Sequence, residues 1–247
     1  MNWLAIGGVG IVVGFLAGLF GKGGSAIATP LLHAFGVPAI VAVAAPLPAT
    51  IPSTVVASAA YWKSQLIDRD VVKWSVGFGV PATVAGALAT RWISGGLLVT
   101  ITDVVVAGLG IRFLVYPQDP NETADEPSHF KFRMAAVAVV TGVASGLLAN
   151  SGGFLLAPLY VAILRLPLKV AFACSLAVSA ILAIPGTIVH AALGHIDWAV
   201  VLVFGACSVP LSYAGARVAL RSDPRRLERL YGGALTVLGV GFLVAGR

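Results

Sequence analysis

The sequence predicts an all-α polytopic membrane protein of two inverted repeats, each a re-entrant broken-helix hairpin followed by three transmembrane helices, eight helical segments by hydropathy. Of its 247 residues, 58% are hydrophobic and 11% are charged, whereas soluble domains carry about 25% charged residues. The apolar residues are gathered into runs, and most runs approach the roughly 20 residues that cross a bilayer. The two halves of the chain also match each other in sequence.

The apolar runs define the predicted elements. Two of them, 26–35 and 154–164, are too short to span a bilayer, and each follows a Gly-rich break, at 21–25 and at 150–153. We therefore expect each break to be the tip of a re-entrant hairpin. In chain order the runs are 3–20, 26–35, 40–62, 71–90, 97–116, 134–149, 154–164, 170–193, 198–218 and 230–245.

The crossing after each short run carries prolines. Pro46, Pro48 and Pro52 remove amide donors from the first of these crossings, and Pro185 lies in the second. We therefore expect both crossings to be irregular.

A polar stretch separates the halves of the chain. Residues 117–133 contain four acidic residues and three prolines, a composition typical of a solvated linker. The predicted organisation is a first membrane repeat at 1–116, a polar cytoplasmic linker at 117–133 and a second membrane repeat at 134–247.

The duplication appears when the chain is shifted by 128 or 129 positions. Glycine, proline and Ile-Asp landmarks then coincide in a nearly constant register, which accidental Ala/Gly/Val similarity does not readily produce. The pairs include Gly14 with Gly142, Gly18 with Gly146, Pro30 with Pro158, Pro38 with Pro167, Ile67-Asp68 with Ile196-Asp197, Pro81 with Pro210 and Gly86 with Gly215.

The basic residues predict how the repeats are oriented, because Lys and Arg concentrate on the cytoplasmic side of a membrane. Parallel repeats of four crossings would place seven basic residues on one face and eight on the other. With hairpins, thirteen share one face, only Arg91 and Arg247 oppose them, and Lys22 remains at a hairpin tip. Three crossings per half then invert the second copy, with both termini outside.

The breaks have the chemistry of an anion site. A helix that starts within the membrane presents unpaired amides and about half a positive charge, and Lys22 adds a full charge. Paired breaks in an inverted repeat indicate a transporter's binding site. The predicted substrate-binding residues are Lys22, Gly23, Gly24, Ser25, Thr50, Asn150, Ser151, Gly152, Gly153, Ser175 and Ser179.

Other interpretations remain open at this stage. Glycines also permit close helix packing, and each hydroxyl also has the option of a bond to its own helix. Asp103 and His190 are candidate proton-relay residues, although pairing or capping by Asp103 and an interfacial place for His190 are alternatives. We expect no catalytic residues, metal or cofactor, because no such motif spacing is present. We also expect no nucleic-acid partner, because the net charge of +6 reflects scarce acids.

The breaks and their surroundings resemble the sulfite exporter TauE/SafE family over nearly the whole chain. The resemblance implies an inner-membrane permease for sulfite or small organosulfur anions, with Gly23, Gly24, Gly152, Gly153 and Ser175 in the substrate region. The motifs concerned are Gly14-x3-Gly18-x2-Gly21-x-Gly23-Gly24 before Pro30-Leu31-Leu32, Gly142-x3-Gly146 to Gly152-Gly153-Phe154-x3-Pro158-Leu159, and Ala173-Cys174-Ser175-Leu176.

Two segments depart from the family's Ala-Thr-Ser-Leu pattern: Ala45-Pro46-Leu47 replaces it in the first copy, and Cys174 replaces Thr in the second. The predicted function is a secondary transporter of sulfite or a related organosulfonate anion in the bacterial inner membrane, exporting by alternating access. An anion-selective channel or an intramembrane redox subunit is the alternative. The predicted partners are the small anion and membrane lipid, and a homodimer is left open.

Overall fold

The computed structural model describes residues 2–21, 25–93, 130–149 and 151–245, with single positions at 97, 104, 108, 111 and 115. These residues are nearly all helical, and no strand occurs among them. The helices are α1 (Trp3–Leu19), α2 (Ser25–Ala34), α3 (Ala39–Ala44), α4 (Pro46–Lys63), α5 (Arg69–Ala89) with a 3-10 turn at Thr90–Trp92, α6 (Phe130–Leu147), α7 (Gly153–Ile163), α8 (Leu168–Ala192), α9 (Trp198–Arg221) and α10 (Pro224–Ala245).

Five helices within the described ranges are long and apolar enough to cross a membrane. The first is α3 and α4 taken together, Ala39–Lys63, and the others are Arg69–Trp92, α6, α8 and α9. Large apolar side chains point outward from them, such as Ile188 and Leu202, which are 64% and 72% exposed. The predicted all-α polytopic membrane fold is confirmed.

Two of the helix boundaries among the described residues fall at the Gly-rich segments. The first lies between Leu19 and Ser25, and the second between Leu147 and Gly153. The helices that follow, α2 and α7, have 10 and 11 residues, so at 1.5 Å per residue each spans about half of a bilayer core.

The first of the two crossings that were expected to be irregular is interrupted, but at Ala45 and not at its prolines, and the expectation was wrong for the second. Helix α4 runs unbroken from Pro46 to Lys63, and α8 is one helix of 25 residues. Pro46 and Pro48 lie in the first turn of α4, where the amides have no helical partner in any case. Only Pro52 and Pro185 lie inside these helices, and each removes a single amide from the hydrogen-bond ladder. Within the first crossing, Ala39–Lys63, the helix is interrupted at Ala45, between α3 and α4.

One boundary also differs from the sequence prediction. Helix α6 begins at Phe130, so residues 130–133, which the composition assigns to the polar linker, are helical. Lys131 and Phe132 are exposed in this first turn, as expected where a helix emerges from a membrane surface.

Helices of one half pack on helices of the other. Along α1 and α9, Gly10, Gly14 and Gly18 lie against Phe204, Ser208 and Ser212 in turn, so these two helices run in the same direction. The equivalent pair 128 or 129 positions away is α6 on α5. There Gly142 lies against Gly79 and Gly146 against Thr83.

The central contact joins α4 of the first half to α8 of the second. Leu47 near the start of α4 lies against Gly186 near the end of α8. Val55 and Trp62, further along α4, share a groove with Ala177 and Ile181, which come earlier in α8. The two helices therefore run in opposite directions.

Local geometry repeats with the same register. Asp68 caps α5 by accepting hydrogen bonds from the amides of Asp70 and Val71, and Asp197 caps α9 through the amides of Ala199 and Val200. The paired Ile-Asp sequences thus mark two equivalent helix starts.

Candidate functional site

The described residues of the second break, 151–153, are buried. Gly152 has a φ of 75°, in the left-handed region that favours glycine. Its carbonyl accepts hydrogen bonds from the amides of Leu155 at 3.0 Å and Leu156 at 2.9 Å, which starts α7. The N-cap residue Gly152 has no side chain with which to cap this helix, and the amides of its first two residues, Gly153 and Phe154, have no partner within the helix. The break therefore presents the positive end of the α7 dipole inside the protein.

Ser175 connects the two breaks. Its hydroxyl lies 2.7 Å from the carbonyl oxygen of Gly21, beyond the end of α1, and 3.2 Å from that of Gly153, at the start of α7. Ser175 is fully buried. One hydroxyl has one proton to donate, so the two carbonyls share it or compete for it. The sequence places Ser175 in the site, and the structure adds that it touches both halves.

Two more predicted residues have buried hydroxyls without a partner among the described residues. The oxygens of Ser151, in the second break, and Ser179, one turn after Ser175 in α8, make no hydrogen bond. Both residues are 0% exposed. A buried hydroxyl left unsatisfied costs about 1–3 kcal/mol, and a bound ligand or water would remove that cost.

The hydroxyl of Thr50 bonds to its own helix, which is the alternative to a role in substrate binding: it donates to the carbonyl of Pro46 at 3.0 Å. Ser53 behaves similarly towards Ala49, but its oxygen also lies 3.2 Å from that of Ser208 in α9. Together with Gly14, these side chains line a void of about 10 Å³ between α1, α4 and α9. A void of this size holds at most about one water molecule.

Several predicted residues lie outside the described part of the chain. These are Lys22, Gly23 and Gly24 in the first break, Asn150 in the second, and the relay candidate Asp103. Ser25 is the first residue of α2.

His190 is fully buried near the end of α8 instead of lying at the protein surface. Its Nε2 lies 3.1 Å from the carbonyl oxygen of Gly146, one turn before the second break, and its Nδ1 lies 3.1 Å from Nδ1 of His195. A carbonyl only accepts, so Nε2 of His190 carries a proton. In the neutral pair, His195 then donates from Nδ1. Partial burial lowers the pKa of His195 from its ordinary value.

Sequence reasoning did not identify His195. The available signal was its spacing, five residues after His190 and directly after Gly194. Gly194 has a φ of 71°, and this turn brings the second imidazole back onto the end of α8.

The sequence is similar to known proteins over nearly its whole length. The sequence profile of the family described as Sulfite exporter TauE/SafE matches residues 6–242. A probable membrane transporter protein of Xylella fastidiosa (strain 9a5c) is 28% identical over 249 residues, covering 97% of this chain and 94% of that protein. Probable membrane transporter protein YjnA of Bacillus subtilis (strain 168) is 24% identical over 244 residues, covering 94% and 96%.

No solved structure matches the chain. The family match spans almost all of the sequence, both relatives are named as probable membrane transporter proteins and are covered over 94% and 96% of their lengths, and the helices suit a membrane. The chain is therefore a multi-pass membrane transporter, and not an enzyme. It belongs to the sulfite exporter TauE/SafE family.

Proposed function

We propose that the protein is a secondary transporter that moves sulfite, or a related small sulfur-containing anion, out of the cell across the bacterial inner membrane. The observation that carries this proposal is the arrangement at Ser175. Ser175 brings the two helix breaks together. The unpartnered hydroxyl of Ser151 lies in the second of these breaks, and that of Ser179 lies in the same helix as Ser175.

The groups at the second break are donors, as an anion requires. The first amides of α7 and the hydroxyls of Ser151 and Ser179 would each donate to an oxyanion. Hydrogen bonds to a charged partner are worth about 1.5–3 kcal/mol each. We assign the full positive charge to Lys22 and a further amide donor to Asn150, so the pocket would be asymmetric between the halves.

We propose further that the halves are inverted copies, with both termini outside. The opposite directions of α4 and α8 support this arrangement. The basic loops also meet at one end of the bundle. The Lys169 ammonium donates to the carbonyl of Leu220 at the end of α9, and the Asp68 amide contacts the Cys174 thiol near the start of α8. This end would be cytoplasmic by the positive-inside rule.

In alternating access, the hydroxyl of Ser175 would give up its hydrogen bonds to the carbonyls of Gly21 and Gly153 as the two breaks move apart. A neutral hydrogen bond contributes only about 0.5–1.5 kcal/mol, so separation of Gly21 from Gly153 costs little compared with the binding energy of an anion. A membrane potential that is negative inside favours export by about 2.3 kcal/mol per charge per 100 mV. The His190–His195 pair, with Asp103, is our candidate route for a coupled proton.

The test is sulfite flux into liposomes that contain the purified protein. Wild type should show saturable flux and exchange against sulfite on the opposite side, whereas a channel would show neither. Lys22→Ala and the double variant Ser151→Ala with Ser179→Ala should lose most of the flux. Lys131→Ala, which removes an exposed charge outside the site, should not.

The substrate is identified by thermal-shift measurements with sulfite, thiosulfate, sulfate, sulfoacetate and taurine. Stabilisation by sulfite that disappears in Lys22→Ala would support the assignment. Stabilisation by taurine alone, or unchanged sulfite flux in folded Lys22→Ala, would contradict it.

A further inference from the structure

A groove of about 530 Å³ lies between α4, α5 and α8, at the seam between the two halves. Its walls are mostly aliphatic, and Val55, Trp62 and Ile181 on its lining are 50%, 51% and 37% exposed. The groove therefore opens sideways from the bundle, towards the lipid. It is separate from the buried hydroxyls of Ser175 and Ser179 and takes no part in the function proposed above.

The groove covers about two thirds of the depth of one membrane leaflet. Val55 and Ile181 lie near the middle of their spans, Ala39–Lys63 and Leu168–Ala192, and Trp62 lies at the end of the first. At 1.5 Å per residue, Val55 to Trp62 covers about 10 Å of depth. The hydrocarbon of one leaflet is about 15 Å thick. The groove is therefore long enough to hold the part of a lipid acyl chain that lies nearest to the headgroup.

Two cations line the shallow end. Arg69 and Lys73, in the first turns of α5, both border the groove, and the Arg69 guanidinium lies 5.5 Å from the centre of the Trp62 ring. Neither forms an ion pair with any described residue. The adjacent carboxylate of Asp68 is held by two amides of α5 at 2.9 and 3.2 Å, and Asp70 does not line the groove.

The equivalent region of the other half lacks these charges. At a shift of 129 positions, Trp198 replaces Arg69 and Leu202 replaces Lys73, while Ile184 replaces Val55. The equivalent positions of the other half thus keep an aliphatic residue but have no cations. An occupant with a long apolar part and a negative head therefore fits the groove at the basic end of the bundle.

We propose that this groove binds an anionic phospholipid, with an acyl chain along α4 and α8 and the phosphate held by Arg69 and Lys73. Basic pockets between transmembrane helices are known to suit such headgroups, and each nearby cation attracts an anionic lipid by about 1 kcal/mol. Trp62, an aromatic residue at the membrane interface, would lie at the level of the headgroup.

The experiment is native mass spectrometry of the purified protein after titration with phosphatidylglycerol or phosphatidylcholine. Wild type should retain phosphatidylglycerol over phosphatidylcholine by about tenfold. The double variant Arg69→Gln with Lys73→Gln should lose that preference. Lys131→Gln with Arg133→Gln, which removes the same charge elsewhere on the basic end, should keep it.

A second variant separates the acyl-chain site from general charge attraction. Val55→Trp fills the groove and should reduce retention of both lipids while leaving the melting temperature close to that of wild type. Equal lipid retention by all variants would overturn the proposal. So would displacement of phosphatidylglycerol by inorganic phosphate alone, or cross-linking of Cys introduced at Val55 to a second copy of the chain in the membrane.

Discussion

Ser175 is a single hydroxyl with two acceptors in different halves of the protein. Gly21 and Gly153 accept at 2.7 and 3.2 Å, and one proton does not satisfy both fully. The equivalent position 129 residues earlier is Pro46, which has no hydroxyl. The link between the breaks is therefore made from one half only, and its loss has no substitute in the other.

We predict that Ser175→Ala weakens sulfite binding by up to about 10-fold. The variant removes about 0.5–1.5 kcal/mol of hydrogen bonding that holds the two breaks together. Binding is measured by calorimetry on the detergent-purified protein. Ser222→Ala, which removes an exposed hydroxyl bonded to Val218 at the end of α9, should bind as wild type does. A Ser175→Ala protein with unaltered affinity would contradict the role of Ser175.

We predict that His195 makes the stability of the protein depend on pH. Because partial burial lowers its pKa in the fold, the folded state favours the neutral imidazole. Its contribution is present above the unfolded pKa of about 6.5 and is lost as pH falls below it. Wild type should therefore lose more melting temperature between pH 7.5 and 5.5 than His195→Gln does. His33→Gln, a change at an exposed histidine, should follow the wild-type curve; identical curves for all three proteins would refute the prediction.

At the scale of elements, sequence patterns located the helix interruptions well. Gly-rich segments between apolar runs predicted where α1 and α6 end, and the repeated Ile-Asp pairs fell at two helix N-caps. The prolines of α4 led to a wrong prediction of irregular structure, because the effect of a proline depends on where the helix starts. Pro46 lies in the first turn and does not disturb the helix, whereas a proline in the helix interior would. The length of an apolar run does not show at which residue the helix starts.

Gly146 provides a test of the packing between α6 and α5. A Cβ at this position would overlap the backbone of Thr83, and backbone does not move aside easily. We predict that Gly146→Ala destabilises the protein by about 1–3 kcal/mol, seen as a lower melting temperature by tryptophan fluorescence. Gly77→Ala in α5 is the matched control.

A Cβ at Gly77 meets nothing within 4 Å. Alanine there should be neutral or stabilising by up to about 1 kcal/mol, because it restricts the unfolded chain and favours helix. Equal melting temperatures for the two variants would show that α6 and α5 do not pack this closely.

For the whole molecule, the sequence register predicted a duplication, but it did not predict which residues of the two halves contact each other. Contacts such as Ser175 with Gly21, or His190 with Gly146, join residues 154 and 44 positions apart. Local periodicity carries no information on such pairs. The sequence also does not show that the hydroxyls of Ser151 and Ser179 are buried without a hydrogen-bond partner, because elements from both halves determine the burial and the partners of a hydroxyl.

The orientation in the membrane remains a prediction that a direct experiment decides. Inversion with hairpins places thirteen basic residues on the cytoplasmic face, and moving such loops outward is strongly disfavoured during insertion. We predict that alkaline phosphatase fused after residue 247 is active and that green fluorescent protein fused there is dark, because inverted repeats would place the C-terminus outside. Both reporters inserted in the linker at 120 should give the opposite result. If both sites report the cytoplasm, the chain has an even number of crossings after the linker and the halves are parallel; the charge count would then be seven against eight and would orient nothing.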